Sequence, residues 1–392
     1  VINRNNLVLL GCTSLLFLPL CATAQHNHDH SNGDTNTDAH ASHSGGHAHQ
    51  HDVISLKRVE WYGMVYLALD HNDPGRNGDT NTYMNTEGTT LGIRGMAPLD
   101  YGNRFFWQVE TTVAFDEYGS HHNELGGHDS FVGLTGKYGT VWAGKKNTAY
   151  TTSSMHIDNF HHIAGDYRLM LGTVPGVASG TGGHHGGAFH VRAPDIITYK
   201  TPSLAGLTAE VSLFGLNETS TVQANGDSSA YSANLSYMRG GFMAGAAYEI
   251  HNNYDSFGNT LIDETSATML SAMYQYKATS VGIIGETIDV SDADTVNVPN
   301  KSRDAYYLAA KHQIGPTGLM LAYGVADDFQ VDDGADFVAA GGTFALGQRT
   351  QAYLVYVGVN NERQGTYGTF KISPVANGGD PSTIALGLVH SF

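Results

Sequence analysis

Between Val59 and Asp70 the chain alternates with period two. Val59, Trp61, Gly63, Val65, Leu67 and Leu69 fall on one face of an extended strand, and Glu60, Tyr62, Met64, Tyr66 and Asp70 on the other. The pattern recurs at 88–97, 103–115, 128–136, 139–147, 194–201, 206–216, 229–238, 242–251, 265–276, 279–289, 303–312, 317–326, 335–345, 350–359 and 382–392, so the sequence predicts sixteen strands. Short joins alternate with longer polar loops. No stretch beyond residue 24 reaches the roughly 18 to 20 apolar residues of a membrane helix. A chain of this pattern in a membrane must cross it as strands, and then only as a closed ring, because no backbone N–H or C=O can be left unpaired in lipid. An even strand number returns both ends to one side, and about 16 to 18 strands leave an aqueous channel.

The first 24 residues read differently. Arg4, an apolar run from Leu7 to Leu20 and Ala22-Thr23-Ala24 before Gln25 have the order of a secretory signal peptide with its cleavage site. Cys12 and Cys21, the two cysteines of the chain, lie inside it, so the exported part is expected to hold together without disulfides. Residues 25–55 form a polar segment carrying His26, His28, His30, His40, His43, His47, His49 and His51 with no aliphatic residue larger than Ala from 26 to 51. Such a segment buries too little to fold by itself. Its His-x-His-x-His runs suit zinc or copper through neutral imidazoles; a solvated polar leader is the plainer alternative. Residues 56–392 are expected to make the barrel.

The final nine residues, Ile384 to Phe392, put Ile384, Leu386, Leu388, His390 and Phe392 on one face and small residues at 385, 387 and 391 on the other. Together with the leader, this resembles the C-terminal assembly signal of bacterial outer-membrane barrels, with His390 and Phe392 as its recognisable residues.

Further anchors make the resemblance specific. Trp61-Tyr62-Gly63, Leu91-Gly92-Ile93-Arg94-Gly95, Gln108-Val109-Glu110, Val132-Gly133-Leu134, Tyr138-Gly139-Thr140-Val141 and Gly144-Lys145 occur in that order. Tyr199-Lys200-Thr201-Pro202 with Gly206, Leu346-Gly347-Gln348-Arg349-Thr350 with Tyr353, and Gly387 to Phe392 follow. In this order they are similar to the trimeric general porins of Gram-negative outer membranes, of the β-proteobacterial type. The His-rich leader and Lys145, where that family has Arg, are departures. The resemblance implies an all-β, sixteen-stranded antiparallel transmembrane barrel with a long third loop folded inward. It further implies a homotrimer in outer-membrane lipid and lipopolysaccharide, inserted by the barrel assembly machinery, passing ions and small hydrophilic solutes and requiring no cofactor. The chain ends, and with them the His-rich tail, would lie in the periplasm.

The longest loop, about 148–193, takes the place of that third loop, and a structureless segment of such length is usually functional. Asp158, Asp166 and Arg168 on it are expected at the constriction, the two acids facing wall bases. Parity turns Arg94, Arg104, Gln108 and Glu110 to the lumen. Opposed acid and base across a narrow wet gap would produce a transverse field that sieves by polarity. The alternative for Arg94 and Arg104 is a strut in the wall, for instance with Glu110. Acidic loops around Asp289, Asp294, Asp327, Asp328 and Asp333 favour cations at the mouth.

A formal charge of −17 argues against nucleic acid, whose binding rests on clustered bases. There is no G-x-S-x-G elbow, phosphate loop or H-E-x-x-H. The sequence therefore predicts a passive porin, with a metal-handling outer-membrane protein as the second reading and an outer-membrane enzyme the least supported.

Overall fold

The protein is described by a computed structural model covering residues 59–86, 88–115, 125–173, 189–215, 229–252, 264–291, 302–369 and 375–392. The leader and the eight tail histidines lie outside these residues. The strands run in order as β1 (Val59–Asp73), β2 (Asn81–Asn85), β3 (Thr90–Pro98), β4 (Arg104–Thr112), β5 (Ser130–Gly136), β6 (Gly139–Asn147), β7 (Arg192–Lys200) and β8 (Leu207–Phe214). There follow β9 (Ser229–Arg239), β10 (Phe242–Asn252), β11 (Glu264–Tyr276), β12 (Thr279–Val290), β13 (Ser302–Ile314), β14 (Thr317–Ala326), β15 (Ala335–Ala345), β16 (Thr350–Asn361) and β17 (Ser382–Ser391).

From β3 onward each strand pairs antiparallel with the next, and β17 closes on β1 from Met64 opposite Ser391 to Asp73 opposite Ser382. The other edge of β1 is shared: β3 pairs with its first half and β2 with its second. Seventeen segments thus fill sixteen positions of a closed antiparallel barrel. Where β2 gives way to β3, a side chain replaces the ladder: Thr89 Oγ1 accepts from Tyr66 N at 2.9 Å and donates to Tyr66 O at 3.1 Å.

Parity sets what faces outward. Leu69 is 57% exposed while its neighbours Ala68 and Asp70 are 3% and 2% exposed, so the apolar row of β1 points away from the ring. The same outward row carries Leu321, Leu354 and Leu386. Outward aromatics gather at two levels, with Tyr199, Tyr274 and Tyr276 near the short turns and Tyr231, Tyr306 and Tyr323 near the long loops. Two aromatic girdles flanking an apolar band distinguish a lipid-facing barrel from a soluble one. The seam at the terminal strand is tight, for Phe392 N donates to Gly63 O at 3.1 Å and its ring lies where a Cβ on Gly63 would stand.

Inside the ring the two flanks differ. The inward residues of β13 to β17 are mostly small or apolar, among them Ala309, Phe337, Ala339, Val355, Val357 and Ala385, and they are buried. Their cover is the loop between β6 and β7. It begins with helix α1 (Ala149–Ser154), whose N-cap Thr148 accepts from Thr151 N, and continues through a 3-10 turn at Tyr167–Leu169. Tyr150, Ile157, Phe160, Tyr167, Met170 and Phe189 from this loop share one apolar cluster with the inner wall. Gly282 makes room for it: a Cβ there would stand 2.6 Å from Ile157 Cγ2.

Candidate functional site

The loop is fastened to the wall at one carboxylate. Glu286 on β12 accepts from Tyr150 Oη at 2.8 Å and from Gly172 N at 2.6 Å, and lies 2.8 Å from His190 Nε2. Arg303 on β13 stands 3.6 Å from the same carboxylate, donates to Met170 O at 3.1 Å and to Tyr367 Oη at 2.8 Å, and also contacts Thr173. Both charged side chains are fully buried, so each offsets the other, and polar groups of the loop together with Tyr367 take most of their remaining hydrogen-bonding capacity, Arg303 Nε being left without a partner. Helix α1 is pinned nearby, where Ser232 Oγ accepts from Tyr150 N at 2.7 Å and Asn234 Nδ2 donates to Ala149 O at 2.5 Å.

The acids expected to face wall bases are engaged otherwise. Asp158 is buried, with Oδ1 accepting from Phe160 N at 2.8 Å and from Tyr307 Oη at 3.0 Å. Asp166 is buried too, and it holds Arg168 through a fork of 2.9 Å and 2.6 Å and accepts from Arg168 N at 3.0 Å. These contacts of Asp158 and Asp166 lie in the loop and on β13. Burial, and then the neighbouring Asp166, push the Asp158 carboxyl well above its ordinary range. Burial opposes the Arg168 cation, but Asp166 outweighs it and raises its affinity for the proton.

The wall groups sort into pairs. Arg94 bridges Glu60 at 2.9 Å and lies 4.8 Å above the Tyr62 ring. Its partner is thus Glu60 rather than Glu110. Glu110 is buried against His128. Arg104 is exposed and its recorded polar contact is Met96 Sδ at 3.9 Å. Asp129 sits between Lys146 at 3.2 Å and Arg192 at 2.5 Å. Burial alone would raise its carboxyl, but the two bases hold it well below the usual range. Lys200 lies 3.4 Å from Glu210.

Of the loop histidines, His161 and His190 are buried and His156 is exposed; His184 and His185 fall outside the described residues. His390 Nδ1 lies 2.9 Å from Thr350 Oγ1 on the neighbouring strand. At the long-loop end a cavity of about 370 Å³ is lined by Asp327, Asp328, Asp336, Asn360, Asn361 and Glu362, which puts acids at the mouth. The residues that sequence reasoning missed are Glu286, Arg303, Asp129 and Glu60. Glu286 carried a signal, since it is the one charge among the inward residues Ile284, Glu286 and Ile288, and a charge so placed needs an internal partner.

Comparison with known proteins agrees with this architecture. The sequence matches the Gram-negative porin family over residues 14–364. It is 24% identical over 291 residues to the major outer membrane protein P.IB of Neisseria meningitidis serogroup B, covering 71% of this chain and 78% of that one. The P.IB protein of Neisseria gonorrhoeae is 23% identical over 322 residues, with 76% and 86% covered. Among solved structures, the anion-selective porin from Comamonas acidovorans superposes with a TM-score of 0.70 at 19% identity, covering 85% of this chain and 99% of that one. The trimer form of OmpT from Vibrio cholerae gives 0.59 at 12% identity, with 85% and 99% covered. The chain belongs to the Gram-negative porin family and is a passive channel of the outer membrane, not an enzyme.

Proposed function

We propose that this porin is a homotrimeric general diffusion pore with weak ion selectivity, narrowed by the loop that β6 sends into the ring. The observation that carries the reading is charge pairing. Arg94 with Glu60, Lys200 with Glu210, Arg168 with Asp166 and Arg303 with Glu286 are one-to-one pairs, and Asp129 offsets one of the two charges of Lys146 and Arg192. Paired charges leave little net potential to sort ions, while the polarity of the narrowed bore still excludes apolar solutes. Arg104, which is exposed, biases the neck toward anions, and the acidic mouth draws cations, so the two tendencies oppose each other. The trimer form recorded for a structural neighbour supports a trimer here.

The test is the reversal potential of the purified porin in planar bilayers under a tenfold potassium chloride gradient. A value near zero is expected. A value close to the ideal limit for either ion sinks the pairing argument.

The same reading extends to the ends of the chain. Residues 1–24 are a signal peptide, 25–55 a periplasmic leader whose eight histidines chelate zinc or copper, and His390 with Phe392 the signal for the barrel assembly machinery. Titration calorimetry on a peptide spanning 25–52 tests the leader, and absence of heat with either metal at neutral pH removes its chelating role.

A further inference from the structure

We propose that Asp158, His161 and Asp166 form a binding site for one small divalent transition-metal ion of the zinc class, which fixes the inward loop in its docked shape. The three residues offer donor atoms that all lie within 4.8 Å of one another, and all three are buried. His161 Nδ1 is 3.3 Å from Asp166 Oδ2 and 3.9 Å from Asp158 Oδ2. Bonds of about 2.0–2.2 Å to a tetrahedral ion place neighbouring ligand atoms roughly 3.3–3.6 Å apart. The 3.3 Å pair already has the length of a coordination edge, and the 3.9 Å pair would close by a few tenths of an ångström on binding.

A second observation points the same way. Asp158 Oδ2 and His161 Nδ1 are buried and neither makes a hydrogen bond. A buried carboxylate oxygen with no hydrogen bond, beside a ring nitrogen whose 3.3 Å contact with Asp166 is not a hydrogen bond in geometry, is expensive unless something occupies the space between them. The rest of the cluster cannot fill that role. Phe160 N and Tyr307 Oη both donate to the other oxygen of Asp158, and the Arg168 guanidinium is committed to Asp166.

The surrounding contacts have the form of an outer shell. Tyr307 orients the Asp158 carboxylate, and Arg168 and its own N–H orient that of Asp166. The donor set selects the ion. Two carboxylates and an imidazole suit zinc, cobalt or manganese, whereas calcium takes six to eight oxygens, as a rule without imidazole. This site is separate from the His-rich leader and draws on residues of the loop alone.

The deciding experiment locates the metal, because the leader would confound any bulk count. Full-length porin is stripped with a chelator, crystallised from detergent with zinc chloride, and measured on both sides of the zinc absorption edge. The expected result is an anomalous peak within bonding distance of Asp158, His161 and Asp166, lost in His161→Gln and in Asp158→Asn. Zinc found only elsewhere, or no peak at the three donors, overturns the proposal. The wild-type map decides the matter even if a variant fails to fold. In solution, zinc should slow protease cleavage of the loop in the wild type and not in His161→Gln, and calcium should do neither. Equal protection of both proteins by zinc would also overturn it.

Discussion

Replacing Glu286 by Gln tests how the inward loop is held. The carboxylate serves Tyr150 Oη and His190 on one oxygen and Gly172 N on the other, with Arg303 3.6 Å away. An amide of the same shape has one acceptor. Turned toward Gly172 its NH₂ meets an obligate donor. Turned the other way it requires Tyr150 Oη and His190 Nε2 to stop donating and leaves Gly172 N with the amide oxygen alone. A buried donor left unsatisfied costs about 1–3 kcal/mol. Arg303 meanwhile loses the carboxylate that neutralises it, and breaking a buried ion pair from one side costs about 3–5 kcal/mol. The two effects overlap, so about 3–5 kcal/mol is the working figure, or roughly two to four powers of ten in the ratio of docked to undocked loop. The strand ladder is untouched, so the loss falls on the loop and not on the ring. Single-channel recordings of Glu286→Gln should show greater open-channel noise and altered conductance, with new protease cuts between residues 148 and 173. A quiet wild-type conductance together with full protease resistance would refute the anchoring argument.

Three other expectations follow from particular contacts. Arg104→Gln and Arg94→Gln should each shift the reversal potential toward cations, the second also freeing Glu60; unchanged selectivity in both would remove these bases from the permeation path. Asp129 titrates below its ordinary range, so the stability it contributes is complete above about pH 4 and is lost as the pH falls further. The Tm difference between wild type and Asp129→Asn should therefore stay constant from neutrality down to about pH 4 and close below it; closure near neutrality would point to a histidine instead. Gly63→Val places side-chain atoms where the Phe392 ring lies and should lower the yield of assembled barrel, as measured by heat-modifiable gel mobility; an unchanged yield would show the seam to be less crowded than its geometry indicates.

Much of the wall was legible because lipid on one side and water or protein on the other impose period two on every strand. All sixteen expected segments coincide with strands to within a few residues. β2 escaped notice because Asn81-Thr-Tyr-Met-Asn85 has no apolar alternation, and its pairing is supplied by β1. The interior was harder. Which base an inward acid meets depends on residues far away in sequence, and Tyr150 and Glu286 are 136 positions apart. Parity placed Arg94 on the lumen side, but its partner Glu60 comes from the strand next to it, in a register that the sequence pattern does not specify. The acids of the loop were hard to place for a related reason. Their spacing says nothing of whether the loop turns them outward or folds over them.

The uneven lining of the barrel separates two kinds of inherited change. Valines and alanines on the far arc never meet a travelling solute, since the loop lies over them, so altering Val355 or Ala339 would tell in how the protein withstands heat rather than in what it admits. In the proposed pore, sorting of solutes falls to the opposite arc and to the loop's wet side. Relatives that diverge in what they let through should differ there, while keeping the hidden arc matched to its cover.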